Sequence, residues 1–277
     1  MKKKIKLALA QISSKRENKK ANLKKIEEFT VNAKKQGADL VIFPELCLTG
    51  YVLHDQVYEL AEVIPGPSTK RIEEMARKTG MHIIFGMPEL SEKTEATIFN
   101  TAVFIGPKGF IGKYRKIYLP THSVFEEKRY FRPGFQIATF ETVIGKIGLF
   151  ICYDIFFPEV CRLIRLKGAQ LIVCISASPA VRKSYFEILT AARAVENTAF
   201  LAYVNLSGIE DGLQFWGGSR LISPTGEPLA KAKYDEEDMV ICEVDYRDMR
   251  SAETFIPMLK DLRPEFFDEL KKQSEKL

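Results

Sequence analysis

Histidine is nearly missing from this sequence: 277 residues carry three, His54, His82 and His122, and tryptophan occurs once, at Trp216. No two imidazoles or carboxylates stand at metal-ligand spacing, so no metal site is expected. A thiol or hydroxyl activated by histidine would depend on one candidate, His122, which follows Leu119-Pro120-Thr121 in a loop. Cysteine is also sparse. Cys47, Cys152, Cys161, Cys174 and Cys242 are odd in number and contain no CxxC pair, which argues against a disulfide framework and fits a reducing cytoplasm. No apolar run approaches the roughly 18 residues of a membrane span. The basic opening MKKKIKLALAQIS runs into a polar helix rather than a small-residue cleavage site. Positive charge does not mass either: 41 Lys and Arg are spread among 36 Asp and Glu, a formal net charge of +5, so no stripe reads as a nucleic-acid groove. No glycine-rich loop leads from a strand into a helix, which removes a phosphate cradle and any nucleotide cofactor that needs one.

What is present is an ordinary globular composition, 46% hydrophobic, with no linker or low-complexity stretch to divide residues 1–277 into separate domains. Ile5 to Gln11 alternates as a strand, and Asn18 to Gln36 reads as an amphipathic helix stopped by Gly37. Ala38 to Phe43 is an apolar strand running into Pro44 and Glu45. A helix over Ser68 to Thr79 and a strand over Met81 to Met87 follow. Thr97 to Phe104 and Phe110 to Lys116 flank the turn Gly106-Pro107-Lys108-Gly109 as an antiparallel hairpin.

From about residue 139 the same order starts again. GADLVIFPE at Gly37 to Glu45 has an echo in GAQLIVCIS at Gly168 to Ser176, and the hairpin FIGPKGFIGK at Phe104 to Lys113 recurs as LISPTGEPLAK at Leu221 to Lys231. Val181 to Asn197 is the clearest helix of the second half, and Met239 to Val244 a last strand. Two such halves, each with parallel inner strands, two helices and a hairpin, are expected to stack their sheets with helices outside. The fold class is therefore α/β, a four-layer αββα sandwich of two pseudo-repeated halves. After a short turn at Tyr246 to Arg250, the tail from about Ser251 carries Phe255, Phe266 and Phe267, which are expected to pack on a neighbouring surface, the chain's own or a partner's.

Chemistry concentrates at Gly145 to Glu159, GKIGLFICYDIFFPE. An apolar strand runs onto Cys152, then Tyr153 and Asp154, and Pro158 suits the first turn of a helix. Strand, sharp turn and helix lift a nucleophile out of a sheet. A lone cysteine is more often inert core, and this reading stands for Cys47, Cys161, Cys174 and Cys242. Cys152 has company: Glu45 at one strand end and Lys116 at another. Attack on a carbon bonded to nitrogen needs a thiolate, a group to take and return its proton, and a cation for the oxyanion, and these three residues can do those jobs. Asp154 and Glu159 are expected to orient the elbow, with Arg162 pairing to either.

FPELCLTGY (Phe43 to Tyr51), YRKIYLP (Tyr114 to Pro120) with VFEEKRYFRPG (Val124 to Gly134), and GLFICYDIFFPEVCR (Gly148 to Arg162) resemble, in order and spacing, the three signature blocks of the nitrilase superfamily of carbon–nitrogen hydrolases. The likeness runs from about Ile5 to Asp248 and implies the same αββα sandwich. It implies Glu45 as general base, Lys116 as the cation that stabilises the tetrahedral intermediate, and Cys152 as the nucleophile forming a thioester. It implies Glu127 as a second acid, with Glu126 the neighbouring alternative, and the Tyr153 N–H as an oxyanion donor. True nitrilases of the superfamily carry Trp and Glu after the nucleophile, whereas Tyr153 and Asp154 resemble the amidase and carbamoylase branches.

The expected activity is hydrolysis of a small amide or N-carbamoyl compound without cofactor or metal. The alternatives are a nitrile substrate, or a non-catalytic binding module on the same scaffold. Substrate contacts are assigned to Tyr51, His122, Phe125, Tyr153, Ser176, Ala177 and Trp216, with Ser176 to Val181 lining the pocket. These are small or apolar, which leans away from a strongly anionic substrate. Partners are expected to be the small-molecule substrate and a second copy of the chain in a homodimer or larger homo-oligomer, with no nucleic acid and no membrane. Cys152 is expected to have a lowered thiol pKa from Lys116 and Glu45.

Overall fold

From Leu7 to Ala10 the first strand is apolar at every position and needs cover on both faces, and it meets that demand by splitting its side chains by size. In β1 (Lys4–Gln11), Ile5, Leu7 and Leu9 join the core between the two sheets, while Ala8 and Ala10 face the helix layer with Ile26, Ala33, Ile72 and Met75. The computed structural model describes residues 2–276. After β1 come α1 (Lys19–Lys35), β2 (Leu40–Ile42), the single turn α2 (Val57–Leu60), α3 (Pro67–Thr79), β3 (His82–Ser91), β4 (Thr94–Gly106) and β5 (Gly109–Arg115). The Asn18 side chain caps α1 by accepting from the Ala21 N–H at 2.9 Å, and Gly80 ends α3 in the left-handed region.

The second half follows another single turn, α4 (Glu127–Tyr130). It runs β6 (Ala138–Thr142), β7 (Gly145–Ile151), α5 (Pro158–Leu166), β8 (Leu171–Ser176), α6 (Lys183–Asn197) and β9 (Phe200–Asn205). A small ribbon, β10 (Ser207–Glu210) with β11 (Leu213–Trp216), precedes β12 (Arg220–Ile222), β13 (Pro228–Lys231) and β14 (Asp238–Asp245).

One sheet has the order β14-β1-β2-β3-β4-β5 and the other β6-β7-β8-β9-β12-β13. The two correspond strand for strand, with an antiparallel edge, three parallel strands and an antiparallel hairpin in each. The expected sandwich of two like halves is the observed one. The antiparallel edge of the first sheet comes from the far end of the chain, since β14 pairs with β1 along its whole length from Lys4–Asp245 to Gln11–Asp238. Layers approach closely where a side chain is missing: a Cβ on Gly148 in β7 would sit 2.1 Å from the Ile164 side chain of α5.

One expectation needs correction at the C-terminus. The stretch read as a turn at Tyr246 to Arg250 is the start of a helix, α7 (Arg247–Phe255), because Met249 and Ala252 fall one helical turn apart and both bury. The tail beyond it is helical too, α8 (Pro264–Ser274), yet it does not pack down on its own chain. Phe255, Phe266 and Leu270 remain 82%, 65% and 60% exposed. Among the described residues no helix is long and apolar enough to cross a membrane.

Candidate active site

Four strand ends and turns converge on one buried cluster. Glu45 follows β2, Lys116 follows β5, Cys152 follows β7, and Glu127 opens α4. Glu45 and Lys116 are fully buried and Glu127 nearly so. The Lys116 ammonium donates to Glu45 Oε1 at 2.7 Å and to Glu127 Oε1 at 2.6 Å. Burial is the largest single influence on Lys116 and disfavours its charge, but Glu127 and Glu45 together overcome it and hold the pKa well above the ordinary lysine value. Burial pushes the Glu127 carboxyl up to about 7 against the pull of Lys116, with Glu45 adding to the rise. Glu126 is exposed and makes none of these contacts, so Glu127 is the acid that meets Lys116.

The cluster is held by groups that the sequence reading did not single out. Asn100 in β4 donates from Nδ2 to Glu45 Oε1 at 2.7 Å, and its carbonyl accepts the Lys116 N–H at 2.9 Å, so one residue fixes both partners of the ion pair. The signal available was an asparagine inside the apolar run Thr97 to Phe104, where a buried amide needs partners. Gly86 in β3 lets the Glu45 backbone lie against the strand, because a Cβ there would meet Leu46 N at 2.3 Å and Glu45 Cα at 2.7 Å. Glu210, on the small ribbon, accepts the Tyr51 and Val52 N–H groups at 2.7 and 3.1 Å. Tyr51 in turn donates its hydroxyl to Glu127 Oε1 at 2.7 Å.

Cys152 sits at the corner between β7 and a 3-10 turn over Cys152–Phe156, with φ of +45°. A non-glycine residue there costs of order 1–3 kcal/mol, and the neighbours must impose it. Asp154 does so. Its carboxylate accepts the Ile151 N–H at 3.0 Å, the Tyr118 N–H at 2.8 Å and the Tyr114 hydroxyl at 2.8 Å. Glu159 accepts from the Tyr118 hydroxyl at 3.2 Å, as an orienting role requires. Arg162, expected to pair with one of these acids, pairs with neither, and its Nη1 is buried without a partner.

The thiol pKa differs in sign from the sequence expectation. Burial raises it well above the ordinary thiol value, Glu45 raises it further, and Lys116 and Ser176 oppose the rise without cancelling it. The two carboxylates beside Lys116 act on the sulfur in the opposite sense, and with burial they outweigh it.

Cys152 opens into a pocket of about 230 Å³. Three of the expected contacts line it, His122, Phe125 and Tyr153, with the imidazole edge-on to Phe125 at 5.9 Å and tilted against Tyr153 at 5.4 Å. Phe156, Ser178, Arg182 and Phe186 complete the wall with Pro120. Four assigned contacts do not line it. Tyr51 lines a separate recess of about 60 Å³ beside Glu127. Ala177 is buried and donates its N–H to Glu45 Oε2 at 2.7 Å. Ser176, the last residue of β8, is fully buried, and Trp216 stacks on Tyr203 in the core at 5.8 Å. Ser176 and Trp216 are the last residues of β8 and β11, so both bury within the layers instead of reaching the pocket. Arg182 was missed: it stands one residue past the stretch expected to line the pocket, and it makes that pocket less neutral than its small and apolar residues suggested.

The sequence profile of the carbon–nitrogen hydrolase family matches residues 6–254. A protein of Pyrococcus abyssi named nitrilase is 37% identical over 270 residues, 95% of this chain and 99% of that one. Human omega-amidase NIT2 is 32% identical over 255 residues, covering 89% and 91% of the two chains. Among solved structures, a carbon–nitrogen hydrolase from Helicobacter pylori superposes with a TM-score of 0.89 at 25% identity over 96% of this chain and 98% of that one. A mutant of an amidase from Nesterenkonia sp., bearing the acetamide moiety of fluoroacetamide on its active-site cysteine, superposes with a TM-score of 0.84 at 29% identity over 96% of each. The sequence resemblance, the sandwich and the profile agree: this chain belongs to the carbon–nitrogen hydrolase family, whose members act on carbon–nitrogen bonds.

Proposed function

We propose that the chain hydrolyses a small amide or N-carbamoyl compound through a thioester on Cys152. In this reading Glu45 is the general base and acid, Lys116 the oxyanion's cation, and Glu127 the acid that holds Lys116. The observation that carries it is the Lys116 ammonium, buried and bound at 2.7 and 2.6 Å by Glu45 and Glu127, behind a pocket that opens at Cys152.

With the thiol pKa raised, a preformed thiolate is scarce, so the proton passes from Sγ to Glu45 as the sulfur–carbon bond forms. The carbonyl oxygen takes up the negative charge and meets Lys116. The Tyr153 N–H is the second donor, since the first N–H groups of the turn that starts at Cys152 have no acceptor within it. Collapse of the tetrahedral centre breaks the carbon–nitrogen bond, and Glu45 returns its proton to the leaving nitrogen. Water then attacks the thioester with Glu45 again as base, releasing the acid and the free thiol. The mutant amidase from Nesterenkonia sp., alkylated on its active-site cysteine by the acetamide moiety of fluoroacetamide, supports a nucleophilic cysteine in a related sandwich.

The test is ammonia or amine release from a panel of linear amides, N-carbamoyl compounds and nitriles, together with intact-protein mass spectrometry for the acyl adduct. Release that survives Cys152→Ala rejects this chemistry. A nitrile is the second reading, favoured by the name of the Pyrococcus abyssi relative, and turnover of nitriles alone would replace the amide. We infer also that two copies pair through the tail, because Phe255, Phe266 and Leu270 are left open to water. A lone subunit at micromolar concentration in sedimentation would reject the pairing.

A further inference from the structure

The segment that follows Glu45 is pinned to its own half of the chain as far as Gly50, and there the pinning changes hands. Leu48 donates its N–H to the Gly86 carbonyl at 3.2 Å and accepts from Asn22 Nδ2 at 2.9 Å, Thr49 accepts the Glu17 N–H at 2.8 Å, and the Gly50 N–H closes back on Leu46 at 2.9 Å. The Tyr51 and Val52 N–H groups that come next both go to Glu210 Oε2, on β10 in the other half. The approach is tight. A Cβ on Gly50 would lie 3.2 Å from Glu210 Oε2 and 3.1 Å from the Arg16 Cα, and φ there is +87°.

The Tyr51 ring is held by the same ribbon, edge-on to Phe215 of β11 at 5.8 Å. Its hydroxyl ends on Glu127 Oε1, the oxygen that also accepts from Lys116. An unbroken line of contacts therefore runs from Glu210 through Tyr51 to the acid beside the buried ammonium. Ordering a loop does not by itself call for a buried carboxylate. Glu210 is only 6% exposed, burial raises its pKa, and its Oε1 is buried with no partner. Arg16 offsets the charge in part, yet pairs with Glu17 and Asp211 at 3.5 and 3.6 Å. Groups so poorly compensated collect where placement carries function.

We propose that Glu210 is a positioning residue for the reaction: by fixing the Tyr51 and Val52 N–H groups it sets the Tyr51 hydroxyl on Glu127, and through that carboxylate the direction of the Lys116 ammonium. It rests on the roles of Lys116 and Glu127 proposed above and gives the small ribbon a part in them, although no ribbon residue lines the pocket at Cys152. A group that never meets substrate but orients the oxyanion's cation acts on kcat and leaves KM nearly alone.

The first test is a double-mutant cycle on kcat, run well below every Tm. Tyr51→Phe and Glu210→Ala should each lower kcat about tenfold, and the double variant should cost no more than either alone. Glu210→Gln keeps an acceptor for both N–H groups and should restore most of the rate. Effects that multiply in the double variant overturn the route through Tyr51, and a lowered Tm with unchanged kcat overturns the proposal outright. Should Glu210→Ala fail to fold, Glu210→Asp, whose carboxylate falls one methylene short, replaces it.

The second test needs no turnover. Lys116, Glu45, Cys152 and Tyr51 face Glu127; burial raises its pKa to about 7, Glu45 adds to the rise, and the hydrogen bonds from Lys116 and Tyr51 draw it down. Glu210→Ala should therefore raise it further, as Tyr51→Phe does, whereas loss of the Glu210 charge alone would lower it. Carbon-13 NMR titration of glutamate-labelled protein reads the change, with Glu127→Gln identifying the signal. A fall, or no change, in Glu210→Ala overturns the proposal. A rise in both variants without turnover of any amide supports the placement of Glu127 by Glu210 and rejects the amide chemistry, so the two failures are told apart.

Discussion

Asp154 accepts the Tyr118 N–H at 2.8 Å, and this contact joins the turn that presents Cys152 to the segment that presents Lys116. The two belong to different sheets, β7 in one and β5 in the other. Asp154 also takes the Tyr114 hydroxyl at 2.8 Å, so the residues two before and two after Lys116 are both held by the acid two after Cys152. The sheets are registered to each other at the site itself.

Asp154→Ala would leave three buried donors without an acceptor, at about 1–3 kcal/mol each when unsatisfied. The expected result is a lower Tm and a kcat reduced well beyond any change in KM, because Cys152 and Lys116 lose their mutual placement. Steady-state kinetics beside thermal melts check it. A variant with lowered Tm and unchanged kcat would show that the clamp serves stability alone.

Lys116→Met removes the cation between two buried carboxylates. Breaking a buried pair by deleting one partner costs about 3–5 kcal/mol, since the remaining charge has no compensation. Denaturant unfolding should show that loss at neutral pH and a smaller one at pH 5, where Glu127 is protonated in both proteins. The same deficit at both pH values would contradict the assigned cause.

Glu127 gives a pH dependence with a definite sign. Its folded-state pKa of about 7 lies above the ordinary carboxyl value of 4.5, so the folded protein binds the extra proton between those values. Its contribution to stability is therefore complete below about 4.5 and is lost as pH rises through about 7. Asp154, pushed up to about 6 from 3.8 by burial, acts in the same direction over a lower range. If turnover needs the ionised Glu127 to hold Lys116, kcat/KM rises with pH toward a plateau above about 7. Glu127→Gln should lower the rate and flatten that limb, and a limb that survives the substitution belongs to another group.

The raised Cys152 thiol predicts how an alkylating agent behaves. The rate of modification by iodoacetamide should climb about tenfold per pH unit from 6 to 9 without a plateau, as expected for a thiol far from ionised. Peptide mapping assigns the site. A plateau at neutral pH would mean that a thiolate is already present and that the ion pair acts on the sulfur more strongly than the burial does.

Several features of the site were legible because they are local. An apolar strand breaking onto Cys152, Tyr153, Asp154 and Pro158 reads as strand, corner and helix in any chain, and the repeat GADLVIFPE with GAQLIVCIS carries the two halves openly. Parallel strands covered on both faces must be apolar throughout, which is why the sandwich could be read from composition along the strands. The residue types of the proposed trio, Glu45, Lys116 and Cys152, are likewise written in the chain itself.

Everything that depends on which side chains end up facing each other was decided by the folded molecule. Asn100 at once holds Glu45 and Lys116 because β4 happens to pass between them. Glu127 rather than Glu126 meets the ammonium because the first residue of a one-turn helix points inward. The thiol pKa rises rather than falls because burial is a property of the packed surroundings, and no sequence window contains it. Arg182 faces the pocket without an acid only because the start of α6 forms its wall, and a surface arginine and a pocket arginine have the same letter until the layers close.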